Sequence, residues 1–184
     1  MILEEIILKA KKHINKSSLQ KDTDYFCTSR DIFQARLDSY ILNTGKYIES
    51  AVIGEIGNNS FDHNWKFADG HMRGTYFNLN FENEYVVLAD FGRGIRQSLC
   101  SVINLNSDLE AVTTGFTKQI SGRLPEQRGN GLKFVAETIK NKKWSLYFQT
   151  GDACCIINDG TISFKETEDS IIGCLCILNF SGVK

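Results

Sequence analysis

Three segments of this 184-residue chain combine residue types that could do chemistry. The first runs from Glu55 to His63 and places Glu55, Asn59 and His63 four residues apart. On a helix each such step turns about 400°, so three residues drift by only about 80° and share one face. Asp62 lies near the edge of that face. The carboxamide oxygen of Asn59 suits Mg²⁺, which takes oxygen ligands and keeps several waters. Glu55 can hold a water and accept its proton. The same stripe also reads as a solvated polar face braced by i,i+4 hydrogen bonds, and His63 alone as a cap at the helix C-terminus.

The second segment is Asp90-Phe91-Gly92-Arg93-Gly94, followed by Ile95. An apolar run ends there in an acid, and a semi-buried carboxylate must be hydrogen-bonded. An exocyclic amine such as adenine N6 is a suitable donor. Gly92 and Gly94 let the backbone approach a flat ring without a Cβ in the way. A plain strand-to-helix turn has the same pattern. The segment is not the G-x-G-x-x-G dinucleotide fingerprint, and the chain has no G-x-x-x-x-G-K-[ST] loop.

The third segment, Arg128-Gly129-Asn130-Gly131-Leu132-Lys133, closes a polar stretch that contains Pro125, the single proline. A helix starting there offers free N–H groups and the positive end of its dipole to an anion. Arg128 and Lys133 add charge. Thr113, Thr114, Thr117, Lys118, Ser121 and Arg123 precede it as phosphate partners. Helix initiation after a long loop is the alternative reading.

The elements that must position these segments follow from periodicity. Residues ~2–14 read as an amphipathic helix on Leu3, Ile6, Ile7, Ala10 and Ile14. Ser29 caps a second helix reaching about Leu42, and a third runs from Thr44 or Gly45 to about His63. Thr75–Phe81 alternates as a strand, and Tyr85–Ala89 is continuously apolar, as a strand buried on both faces would be. Helices are predicted over Ile95–Val102 and Asp108–Thr113, then a loop over residues ~114–128, then a helix from Asn130. The tail reads as four strands, Trp144–Gln149, Ala153–Ile157, Thr161–Lys165 and Ile171–Phe180, with Asp152 and Asp159-Gly160 in hairpin turns. The expected class is α+β: a two-layer sandwich with a mixed, mostly antiparallel sheet covered on one face by helices. We read one domain over residues 1–184, with a helical extension over 1–43 and a core over 44–184.

An acid–amide–His helix, a strand ending in D-x-G-x-G and a loop entering G-x-G-L, in that order, resemble the GHKL ATPase superfamily of gyrase, heat-shock chaperones, histidine kinases and mismatch-repair ATPases. The matching stretches are EIGNNSFDHN, DFGRG and RGNGL, and the resemblance spans about Gly45–Phe180. It implies the Bergerat ATP-binding fold, with ATP and Mg²⁺ as cofactors. Asn59 would ligate the metal, Asp90 would bond adenine N6, and Gly92 and Gly94 would lie along the base. Residues ~105–128 would form a lid, and Gly129 and Gly131 would meet phosphates. Glu55 stands where hydrolysing members have their general base. That is closer to the hydrolases and the stand-alone anti-sigma-factor serine kinases than to histidine kinases. Gly173-Cys174 stands where members often have Gly-Thr. No phosphoacceptor His helix pair is recognisable, so self-phosphorylation on histidine is not expected. The implied activity is slow ATP hydrolysis or γ-phosphoryl transfer to a protein partner; an ATP-gated interaction switch without turnover is the alternative.

Composition bounds the rest. A formal net charge of -1 gives no global pull toward nucleic acid or anionic membrane. No apolar run approaches the ~20 residues that span a bilayer, and the start of the chain does not read as a signal peptide. The six cysteines, with two adjacent and none in C-x-x-C, suit a reduced, cytoplasmic protein better than a zinc or disulfide scaffold. The first helix serves equally for homodimer formation or for packing on the sheet.

Overall fold

The computed structural model describes residues 5, 7, 8, 25–64, 74–80, 84–118 and 131–182, with backbone alone at His63 and Asn64. Helix α1 (Arg30–Thr44) begins at Ser29, whose hydroxyl accepts from the Ile32 N–H at 3.4 Å. It ends where Gly45 turns left-handed (φ 67) and donates its N–H to the Ile41 carbonyl at 2.8 Å. Its Phe33, Leu37 and Tyr40 point inward at helical spacing. Helix α2 (Tyr47–Asn64) packs against it. Gly54 and Gly57 lie on the contact. A Cβ on Gly57 would run into the Phe33 ring, and one on Gly54 would lie 3.4 Å from Leu37 Cδ2. Close helix approach offsets the entropy cost of glycine inside a helix.

Among the described residues five strands form one sheet: β1 (Phe26–Cys27), β2 (Thr75–Asn80), β3 (Tyr85–Asp90), β4 (Ser145–Asn158) and β5 (Thr161–Asn179). Their order is β1-β2-β3-β5-β4, and every ladder is antiparallel, which removes the mixed character expected. The four tail strands are two long ones. Asp159-Gly160 makes the hairpin turn, with φ of 46 and 73 as a two-residue turn of type I′ requires. Asp152 sits at a register irregularity, not in a second hairpin. Gly151 and Asp152 bend β4 without reversing it.

Helices α3 (Gly94–Leu99), α4 (Asp108–Thr117) and α5 (Gly131–Asn141) join α1 and α2 on one side of the sheet. That layer and the sheet share a core that includes Phe33, Val52, Ile53, Leu88, Phe116 and Phe148. The opposite face is buried too, through Phe26, Tyr76, Val87, Tyr147, Leu175 and Ile177, with Ile7 packed against it. The expectation of a single covered face is therefore corrected. The continuously apolar β3 already pointed to two covered faces, since alternate residues of a strand face opposite ways. Glu5, Ile7 and Leu8 are helical, and the rest of the predicted first helix lies outside the described residues. No helix among the described residues is long and apolar enough to cross a membrane.

Candidate functional site

The site forms where β3 ends. Asp90 is 6 % exposed and faces the helix layer. The Ser60 hydroxyl of α2 donates to its Oδ2 at 3.0 Å, and the Gly92 N–H donates to its Oδ1 at 2.8 Å. These two donors fix the plane of the carboxylate. The Thr75 hydroxyl, on β2, donates to the Ala89 carbonyl at 3.1 Å and lies 3.5 Å from Ser60 Oγ.

Across the sheet Asp90 is level with Cys174 on β5, and Cys174 is level with Thr150 on β4. The three make a polar row along the end of an otherwise apolar face. Burial pushes the Cys174 thiol well up, and the Asp90 carboxylate adds to the shift, so the thiol stays protonated. Thr150 Oγ1 accepts the Ile95 N–H at 3.1 Å and thereby holds the first turn of α3 to the sheet. Gly94 takes φ 71, and a Cβ there would come 2.7 Å from Thr150 Oγ1. Gly173 takes φ 79, and its Cβ would meet the Asp90 backbone and come 2.8 Å from Asp90 Oδ1. Both positions require glycine, for conformation and for space.

The second wall is the meeting of α2 and α5. A Cβ on Gly131 would lie 2.5 Å from Glu55 Oε2 and 3.9 Å from Asn59 Nδ2. Glu55 is exposed and Asn59 is partly buried. The first residue of α5 therefore abuts the acid and the amide of α2, one residue from the serine that holds Asp90. Leu132 and Ile95 close around Gly115 of α4, with their side-chain carbons 3.5 and 3.6 Å from where its Cβ would be.

The structure thus brings together Glu55, Asn59, Asp90, Gly92, Gly94, Ile95, Gly131 and Leu132, drawn from α2, the end of β3, α3 and α5. Asp62 pairs instead with Arg30 at the start of α1. Lys133 lies 4.0 Å from Glu137, one turn along α5. Thr114 is not a loop residue. It is 2 % exposed inside α4, where its carbonyl accepts from the Lys118 N–H at 2.9 Å. The helix outruns its predicted end because Thr114 and Phe116 are buried against the core; Thr117 turns its hydroxyl onto the Thr113 carbonyl at 2.6 Å. Its start is fixed by Ser107, which accepts from the Glu110 N–H at 3.1 Å. His63 lies on the last turn of α2, with only its backbone described. Arg128, Gly129 and Asn130 lie outside the described residues, as does the second part of the predicted lid, residues 119–128. Its first part is corrected: residues 108–117 form α4, whose Ala111, Val112 and Phe116 are buried in the core.

Sequence reading missed Ser60 and Thr150 as site residues. Ser60 follows Ile53 and Ile56 at helical spacing on the buried stripe of α2, and a hydroxyl there must find a partner. That signal was present. Thr150 gave none, because only the sheet register sets it beside Cys174.

Glu55 and Asn59 carry hard oxygen atoms of the kind magnesium takes, and the missing Cβ of Gly131 lets Glu55 Oε2 lie against the first turn of α5. Among the described residues no three His, Cys, Asp or Glu side chains converge on a metal position. A magnesium ion here would draw its remaining ligands from phosphate and water. No protein-family model matches this chain, and no curated protein matches it closely enough to name a relative.

Proposed function

We propose that this chain is a magnesium-dependent ATP-binding domain of the GHKL type, with a Bergerat-like pocket between α2, α3, α5 and the end of β3. One observation carries the reading: Glu55 and Asn59 abut Gly131 while the neighbouring Ser60 holds Asp90 at 3.0 Å. Segments far apart in sequence, each weak alone, meet at one end of the sheet.

Asp90 accepts from the exocyclic amine of the base, its plane set by Ser60 and Gly92. Gly92 and Gly94 line the ring. The N-terminus of α5, led by Gly131, meets the phosphates through backbone N–H groups and the positive end of its dipole. Asn59 holds magnesium, which neutralises phosphate charge when bound. Glu55 orients a water or a partner's hydroxyl and takes its proton. Arg128, Gly129, Asn130 and Lys133 belong to the phosphate end in this reading, and His63 and Asp62 to its rim. The acceptor of the γ-phosphate is water or a protein partner in the same cytoplasmic compartment.

Glu55→Ala separates binding from chemistry. Turnover of Mg-ATP should fall about 10²–10⁴-fold, the usual contribution of a general base, while affinity stays within a factor of about three. Isothermal titration and a phosphate-release assay measure both. Unchanged turnover would remove Glu55 from the role; binding without turnover in the native chain would leave a nucleotide-gated switch.

A further inference from the structure

The Asp90 pocket has a back side. On the sheet face away from the helices, Gln149 is 0 % exposed. Its Oε1 accepts from the Tyr147 hydroxyl at 2.7 Å. Its Nε2 faces the Asp169 carbonyl at 2.9 Å, Thr167 Oγ1 at 3.1 Å and the Gly151 carbonyl at 3.3 Å. The Thr167 hydroxyl also donates to the Asp169 carbonyl at 2.7 Å.

These contacts fall where the β4–β5 ladder is irregular. While β4 advances from Thr150 to Ala153, β5 runs from Cys174 back to Glu166. The surplus of β5 bulges outward, and Glu168, Asp169, Ser170 and Ile172 are exposed. Ile171 packs on the apolar face opposite Gly151, and the outer residues before it are polar and solvated, with little apolar burial to fix their path. The buried carboxamide supplies fixing contacts for that outer part. The excursion rejoins β4 at Ile171, opposite Gly151, and two residues further on β5 reaches Gly173, which lies directly against the Asp90 backbone and carboxylate.

We infer that Gln149 is a positioning residue for base recognition: its carboxamide pins the β5 excursion from behind and so seats Gly173 against Asp90. This rests on the nucleotide reading above. It adds a residue that touches no ligand and sits on the opposite face of the sheet. Without the amide, three acceptors lose a buried donor, the excursion relaxes, and Gly173 no longer defines where the Asp90 carboxylate stands.

The test compares Mg-ATP with Mg-inosine triphosphate, in which an oxo group replaces the exocyclic amine, in the full chain. The native protein should prefer ATP. Gln149→Met keeps the length and unbranched shape but removes the amide. It should cut the ATP preference about tenfold by weakening ATP binding and leaving inosine triphosphate nearly unchanged. Thr167→Val, at a partly exposed site, should move the ratio the same way by a smaller factor and serves if Gln149→Met does not fold. Lys46→Met removes the 2.9 Å bridge to Glu84 at the far end of the sheet and should lower stability without moving the ratio. An unchanged ratio in Gln149→Met, or in Thr167→Val where the former is unfolded, overturns the role of Gln149 alone. A native chain that binds neither nucleotide overturns the pocket reading together with it.

Discussion

At the scale of single residues, the site is a set of close approaches. Gly173 meets backbone, whereas Gly131 meets the end of a side chain that can move. Alanine there would place its Cβ 2.5 Å from Glu55 Oε2, the far end of a flexible and exposed side chain. The carboxylate can swing away, so the fold should survive with less than about 1 kcal/mol lost. Turnover should drop by at least about tenfold, because the base has left its place. Urea melts and steady-state rates on Gly131→Ala check both; equal activity would detach Glu55 from the chemistry. Asp90, Gly92, Gly94 and Glu55 were legible in the sequence, because each breaks the local pattern: an acid ending an apolar run, paired glycines, an amide and an acid one helical turn apart. Thr150 and Gln149 were not. Nothing local distinguishes them from other strand residues, and their roles depend on cross-strand register and on a bulge that shifts it. In sequence Thr114 reads as the start of a long loop, whereas its burial against the core keeps it in helix.

At the scale of elements, α2 is the part on which both walls depend. Its buried side packs on α1 and the sheet, its Ser60 reaches Asp90, and its Glu55 and Asn59 meet α5. The α1–α2 contact sets its height above the sheet through Gly57 and the Phe33 ring. Gly57→Ala improves intrinsic helix propensity by about 1 kcal/mol, yet overpacking against a fully buried ring should dominate and cost about 1–3 kcal/mol net. Chemical denaturation reads the sign directly; a stabilised variant would mean α1 and α2 are not locked at this point. Helix starts were readable wherever a cap was present, as at Ser29 and Ser107. The tail was misdivided because Gly151-Asp152 carries the composition of a turn. In the fold the same residues open a bulge, and Gly151 makes room for Asp108 at the start of α4.

At the scale of the molecule, the sheet is buried on both faces, and the thiols report on that burial. Cys27, Cys155, Cys174 and Cys176 are all shifted upward, chiefly by desolvation. A thiol whose folded value is raised holds its proton after the unfolded chain has released it. The unfolded state then binds fewer protons, so stability is full below the ordinary thiol range and falls as pH rises past about 8.5–9. Melting temperature measured from pH 7 to 10 should decline in the upper part of that range; a flat profile would mean that water reaches these thiols. The α+β class and the helix layer were visible in the order of periodic segments. The second covered face was foretold by β3 alone, and one strand's pattern says that it is covered without saying by what. The central claim is that the end of this sheet binds Mg-ATP through Asp90, and a thermal-shift titration tests it most directly. At ligand near a hundred times the dissociation constant, the native chain should gain about 2.7 kcal/mol, or roughly 5–10 °C in a domain of this size, and Asp90→Asn should lose most of that gain. No shift with millimolar Mg-ATP, or an equal shift in Asp90→Asn, would contradict the account.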